Sequence, residues 1–245
     1  MKTLAILQSN YIPWKGYFDL IRSADEVIVF DCVQYTKHDW RNRNRIKTHD
    51  EVKWLTIPVV TAGRWTRPIH EIEVVDGRWA TKHWKTLQQS YAHAPFFPLY
   101  APLIQESLER AAELRHLSDI NLLFLELVNR LLGIDTPLSS WSGFHIIDGK
   151  TERLVDLCRQ TGATRYLSGP AAKNYIDESL FTAAGIELEY VDYSGYRPYP
   201  QLHGEFVHEV SVLDLLFSVG PDAWQYMKSL GDVTAEETTT RRRSA

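Results

Sequence analysis

A short apolar strand pattern, Thr3 to Leu7, runs into an aromatic turn, a helix from Gly16 to Arg22 and a second strand pattern, Glu26 to Phe30. This succession constrains the fold more than any other feature. Two short β-branched runs joined by a helix make a β-α-β unit whose strands lie parallel in one sheet. Open α/β sheets bind ligands beyond the carboxyl ends of their strands. The segments following the two strands, Gln8 to Tyr17 and Asp31 onward, are therefore the first places to look for chemistry.

Further strands are expected over Lys53 to Val59 and Ile69 to Val75, with turns at Arg64-Trp65 and Asp76-Gly77. Helical spacing begins with Trp79 to Tyr91 and is interrupted by Phe97-Pro98. Leu103 to Leu114 and Asp119 to Leu132 follow as helices, the second with Ser118 as N-cap and Gly133 as left-handed C-cap. A strand is expected over Ser139 to Trp141. Helices over Thr151 to Thr161, Asp177 to Ala184 and Ser211 to Ser218 then alternate with strands over Arg165 to Leu167 and Ile186 to Val191. The expectation is one α/β domain over residues 1–232, with a helical insertion at about 79–133. Its mostly parallel sheet with flanking helices is Rossmann-like or nucleotidylyltransferase-like. Residues 233–245 carry no apolar period and are expected to be disordered.

The net charge of −4 argues against a dedicated nucleic-acid binder. Cys32 and Cys158, the two cysteines, offer neither a disulfide framework nor metal spacing. The histidines form no H-x-x-x-H or H-E-x-x-H arrangement, so no structural metal is expected. No secretory signal is legible, and Ile120 to Leu132 is broken by Glu126, Asn129 and Arg130. A cytoplasmic protein without a membrane anchor is the expectation; oligomeric state is left open.

Polar residues cluster where the strands end. Gln8, Asn10, Tyr11, Trp14, Lys15, Gly16 and Tyr17 stand between the first strand and its helix, where backbone amides can meet an anion. Only one glycine is present, so the turn is no G-x-G-x-x-G fingerprint. After Asp31 come Gln34, then Lys37, His38, Trp40, Arg41, Asn42, Arg43, Asn44, Arg45 and Lys47. Alternation on an extended strand puts Arg41, Arg43 and Arg45 on one face and Asn42 and Asn44 on the other. Guanidinium forks suit phosphate or carboxylate. Gly149-Lys150-Thr151 resembles part of a P-loop, but Phe144 stands where the first glycine is required. It reads as a helix N-terminus that can still hold a phosphate. Ser168, Gly169 and Lys173 follow another strand and suit the same kind of ligand, and Gln201 stands near His203 and Glu205, a candidate acid–base pair.

Taken in order, these motifs resemble the WbqC-like family. The matching residues are Gln8 to Trp14, Gly16 to Asp19, Asp31, Val33 to Tyr35, Trp40 to Asn44, Trp54 to Thr56, Pro58, Gly149 to Thr151, Leu167 to Gly169, Tyr199, Gln201 and Ser211 to Leu216. Ser9 stands where proline is expected and Cys32 where an acid is expected. The resemblance implies surface-polysaccharide chemistry and a transferase that acylates an amino sugar, with glycine as a suggested donor. The resulting expectation is an amide-forming acyl or aminoacyl transferase, or an ATP-dependent ligase, acting on a phosphorylated or nucleotide-linked amine. Arg41, Arg43 and Lys47 would hold phosphate, and Gln8 and Asn10 would orient the substrate. His38 or His203 would take the amine proton, and Asp31 would orient that base or a magnesium ion accompanying ATP. A non-catalytic binder of a nucleotide-linked substrate, or a protein using aminoacyl-tRNA, is the alternative.

Overall fold

The computed structural model describes residues 1–60 and 66–229. The expected turn at Arg64-Trp65 and the expected tail at 233–245 lie outside the described residues. Along the chain the strands are β1 (Thr3–Leu7), β2 (Glu26–Val29), β3 (Arg43–Lys47), β4 (Val52–Thr56), β5 (Leu138–Ser140), β6 (Arg165–Ser168) and β7 (Glu187–Tyr190). The helices are α1 (Lys15–Arg22), α2 (Arg78–Tyr91), α3 (Phe97–Ala111), α4 (Leu117–Leu132), α5 (Glu152–Thr161), α6 (Glu178–Ala183) and α7 (Val212–Val219).

Five strands form one sheet in the order β5-β2-β1-β6-β7, and every pairing is parallel. The chain winds outward from β1 through β2 to β5, then returns past β1 to lay down β6 and β7. The winding direction therefore reverses between β1 and β6, at the carboxyl edge of the sheet. Strand alternation divides the apolar side chains between two cores. Ala5, Val27 and Leu167 join the residues of α1, α2, α3, α4 and α7, whereas Leu4, Ile6, Ile28 and Tyr166 join those of α5 and α6. The α/β class with a mostly parallel, helix-flanked sheet is thus as expected. β3 and β4 form a separate antiparallel hairpin with Arg45 opposite Trp54.

Three local expectations are corrected. Ile69 to Val75 is not a strand: a 3-10 turn occupies Ile69–Glu71, and only isolated bridges join Val59 to Val74 and Glu73 to His116. Ile69 and Ile72 are both fully buried, as the three-residue period of such a turn requires. α3 starts at Phe97 rather than Leu103, because Pro98 lies in the first turn, where no intrahelical N–H is needed. His116, not Ser118, stands at the N-cap of α4. Gly133 does adopt the left-handed conformation, with φ of 65°.

One side chain binds the insertion to the sheet edge. Tyr11 is fully buried in the β1–α1 loop. Its ring meets Trp79 of α2 and Phe124 of α4 edge-on, at centroid distances of 5.8 and 5.6 Å. Its hydroxyl donates to His83 Nδ1 at 2.9 Å, while His83 Nε2–H donates to the Thr56 carbonyl at 3.2 Å. Both ring nitrogens are committed in the neutral form. Burial holds His83 down at about 4. The unfolded chain takes up this proton near pH 6.5 and the folded chain only near 4, so stability falls as pH drops through that window. The expected slope is about 1.4 kcal/mol per pH unit. Urea melts of wild type and His83→Gln between pH 7 and 4 should show the two converging as the pH falls; parallel curves would remove His83 as the cause.

Candidate functional site

At the carboxyl edge, Asp31 follows β2 and is 2% exposed. Its carboxylate accepts from the Ser9 amide at 2.8 Å, from the Ser9 hydroxyl at 2.6 Å and from the Ser118 hydroxyl. Asn121 of α4 donates to Ser9 Oγ at 3.0 Å and to the Arg41 carbonyl at 2.9 Å. Asp31 thus joins the β1–α1 loop, the end of β2 and the start of α4. Ser9 is more than a departure from the expected proline, since both its amide and its hydroxyl serve this carboxylate.

Above this node lies Arg41. Its guanidinium donates to Gln8 Oε1 and to Asn10 Oδ1. Gln8 lines a cavity of about 410 Å³ together with Ile6, Phe30, Val33, Lys150, Arg153, Leu154, Tyr166 and Tyr175. These residues come from the ends of β1, β2 and β6 and from the start of α5, so the cavity occupies the crevice where the winding direction reverses. It contains two cations and no acid. Lys150 is exposed, and Arg153 Nε donates to the Gly149 carbonyl. A second cavity of about 340 Å³ lies toward β5, with Asp31, His70, His116, Ser118, Asp119 and Trp141 in its wall.

The cation run does not converge on one point. Arg43 lies over the Trp54 ring at 4.1 Å and donates to the His38 carbonyl. Arg45 pairs with Glu209 at 3.3 Å. Lys47 is buried, and its Nζ donates to Gln201 Oε1 at 2.9 Å and to the Glu205 carbonyl. Gln201 in turn donates to Asp214 at 2.9 Å, whose carboxyl is pushed up by burial. The expected alternation holds only within β3, for Arg43 and Arg45; Arg41 lies in the turn before the strand and is directed to Gln8 and Asn10, while the asparagines have structural roles. Asn42 donates to the Ile57 carbonyl and accepts from Tyr35, while Asn44 donates to the Tyr11 and Ile12 carbonyls.

Other expected residues are spread along the edge. Tyr17 donates to the Gln8 carbonyl at 2.8 Å, holding the loop that carries Gln8. Lys15 is 2% exposed, donates to the Arg197 carbonyl and lies 4.9 and 5.0 Å from the Tyr196 and Tyr199 rings. Burial lowers its pKa to about 8. Gly16 makes room for Trp14, since a Cβ there would lie 2.3 Å from the indole. Ser168 is buried at the end of β6, Gly169 follows it, and Lys173 lies over the Tyr190 ring at 5.0 Å. Gln34 is exposed and bridges to Pro68. His38 is exposed with φ of 57°, and His203 bonds the Ser90 carbonyl at 2.8 Å. Neither histidine lines the two edge cavities.

His70 and His116 do line one, and no spacing rule singles out either; His116 Nδ1 faces Asp119 at 3.7 Å, and His70 stands closest to the Asp31 segment. His70 Nδ1 lies 3.0 Å from the Asp31 carbonyl. A carbonyl only accepts, so Nδ1 carries the proton and Nε2 of the neutral ring keeps a lone pair. Trp141 packs on the ring at 4.8 Å. A protein-held magnesium ion does not fit the larger cavity: Asp31 is spent on three donors, and no acid lines that space.

The Asp31 node generates a direct prediction. Asp31→Ala leaves buried donors without an acceptor and should lower stability by about 3 kcal/mol. Asp31→Asn, which keeps one accepting oxygen, should lose less. Urea unfolding measures both; an alanine variant as stable as wild type would show that the carboxylate does not organise this edge.

Comparison with known proteins places the chain. It is 46% identical over 232 residues to the uncharacterized protein Rv1507c of Mycobacterium tuberculosis, an alignment covering 93% of this chain and 98% of that protein. No solved structure matches the chain. The description of the WbqC-like protein family matches residues 8–226, which include the β1–α1 loop, the Asp31 node, the hairpin and α5. The chain belongs to the WbqC-like protein family.

Proposed function

We propose that this protein is a transferase that forms an amide on an amine-bearing small metabolite carrying a phosphate or nucleotide. The observation that carries this reading is the 410 Å³ cavity at the reversal of strand order, with Gln8, Lys150 and Arg153 in its wall and no acid. A phosphate there meets two cations and the N-terminal end of α5. The amide-forming chemistry is what the family resemblance implies.

The neighbouring cavity suits the reacting amine. Asp119 and the Trp141 ring can receive an ammonium group, and His70 Nε2 has the lone pair to take its proton before attack. We assign the base to His70 in place of His38 and His203 on this geometry. The amine nitrogen then bonds to the acyl carbon and the leaving group departs with its electron pair; His70 keeps the first proton, and the second proton on nitrogen passes to the departing group. A carboxylic acid activated by ATP and a preformed aminoacyl ester are distinguished as acyl donors by which of them supports turnover.

Thermal melts against nucleotides, nucleotide-linked amino sugars and free amino acids test the reading. A ligand of the folded state raises stability by about 2.7 kcal/mol at a hundred times its dissociation constant. Arg153→Ala should weaken the phosphorylated ligand by about 1.5–3 kcal/mol, the range for a charged hydrogen bond. If no phosphorylated compound shifts the melt, or if Arg153→Ala binds as tightly as wild type, the assignment fails. Binding without turnover, unchanged in His70→Gln, would leave a carrier of the same ligand rather than an enzyme.

A further inference from the structure

A third cavity, of about 150 Å³, opens beside the first, with Trp14 and Trp40 among its walls and Pro13, Asn10, Asn44 and Glu209 completing it. We propose that this slot binds a nucleobase, the planar end of the nucleotide whose phosphate occupies the larger cavity. The inference rests on the proposed nucleotide-linked substrate and names where its base lies.

The slot is rigidly built. Trp14 lies on Gly16, the one residue type whose missing Cβ leaves room for the indole, and is held from behind by Tyr193 and Tyr196 at 5.0 and 5.6 Å. Trp40 is backed by Trp54 at 5.2 Å and by the Arg45 guanidinium at 5.4 Å, yet stays 38% exposed. An exposed indole such as Trp40, facing a cavity that the half-buried Trp14 also lines, is a stacking surface, and base stacking on aromatics tolerates any base. The volume suits one flat ring system and little more.

The polar rim narrows the choice. Glu209 can only accept hydrogen bonds when ionised, and Arg45 pairs with it at 3.3 Å. An exocyclic amino group offers that carboxylate an unobstructed donor, whereas uracil's single N3–H is flanked by two carbonyl oxygens that the carboxylate repels. The slot is also joined to the phosphate cavity. Asn10 belongs to the slot, Gln8 to the cavity, and the Arg41 guanidinium bonds both side chains. Only Ser9 stands between Gln8 and Asn10 in the chain, so the slot and the cavity take neighbouring residues into their walls.

Calorimetry with cytidine, CMP, UMP and a cytidine hexanucleotide tests the inference on the full chain. Cytidine has no phosphate, so it reads the slot alone. Wild type should bind cytidine and should prefer CMP to UMP. Trp40→Ala, and separately Gly16→Ala, should weaken CMP about tenfold, a value within the range for losing one aromatic stacking surface. Glu209→Gln should erase the preference for CMP over UMP. Equal affinity of CMP and the hexanucleotide identifies a mononucleotide source. Tighter hexanucleotide binding that falls steeply with salt identifies a single strand instead. Cytidine binding retained in Arg153→Ala, with phosphate dependence lost, separates the slot from the phosphate cavity. No cytidine binding by wild type, or CMP binding unaltered in both folded variants, overturns the slot. A failure of phosphate compounds with cytidine still bound would overturn only the proposed substrate.

Discussion

The carboxylate of Asp31 is the interaction on which the rest of this edge depends. A buried carboxylate is tolerated only when its lone pairs are met by donors. Here they are met from two directions, by Ser9 in the β1–α1 loop and by Ser118 at the start of α4. The sheet, the loop and the helical insertion are thereby fixed relative to one another. Asn121 extends the network to the Arg41 backbone, so the guanidinium above is aimed by the carboxylate below. The residue expected to orient a base or a magnesium ion also ties together the segments around the cavities.

Three cavities surround this node. The cavity lined by Lys150 and Arg153 and the cavity lined by His70 and Asp119 both take wall residues from the chain that leaves β2, and the aromatic slot includes Asn10, a partner of Arg41. Each has a different lining among the described residues: two cations without acids, two histidines with Asp31 and Asp119, and two indoles with a hydrogen-bonding rim. A substrate with a base, a phosphate and an amine would use all three. The buried parts of the same segments perform structural work. Tyr11, Asn42, Asn44 and Lys47 give their polar atoms to the fold, which is why the loops around the cavities hold their shape.

Much of the fold was legible because short β-branched runs and helical periods are local signals. The β1-α1-β2 unit, α2, α5 and the left-handed Gly133 all lie where the pattern puts them. Ile69 to Val75 misled because two isoleucines three residues apart fit a buried 3-10 turn as well as a strand. The site was legible in part. Gln8, Asn10 and Arg41 do stand at the edge, but Arg43 and Lys47 carry the same charge and are turned to Trp54 and to Gln201. Charge along a sequence does not say which neighbour will claim it. His70 carried no signal at all, since its place in a cavity wall and its hydrogen bond to the Asp31 carbonyl are set by tertiary packing.

The amino-acid sequence by itself determined the class of this protein. Apolar periods of two and of 3.6 residues dictate parallel strands with helices between them, and polar residues after the strands mark the functional edge. Tertiary structure alone decided which polar groups face a cavity and which are buried as ties. That choice follows from strand order, which brings α5 and β6 beside β1 from more than a hundred residues away. It follows equally from burial, which obliges every enclosed donor and acceptor to find a partner.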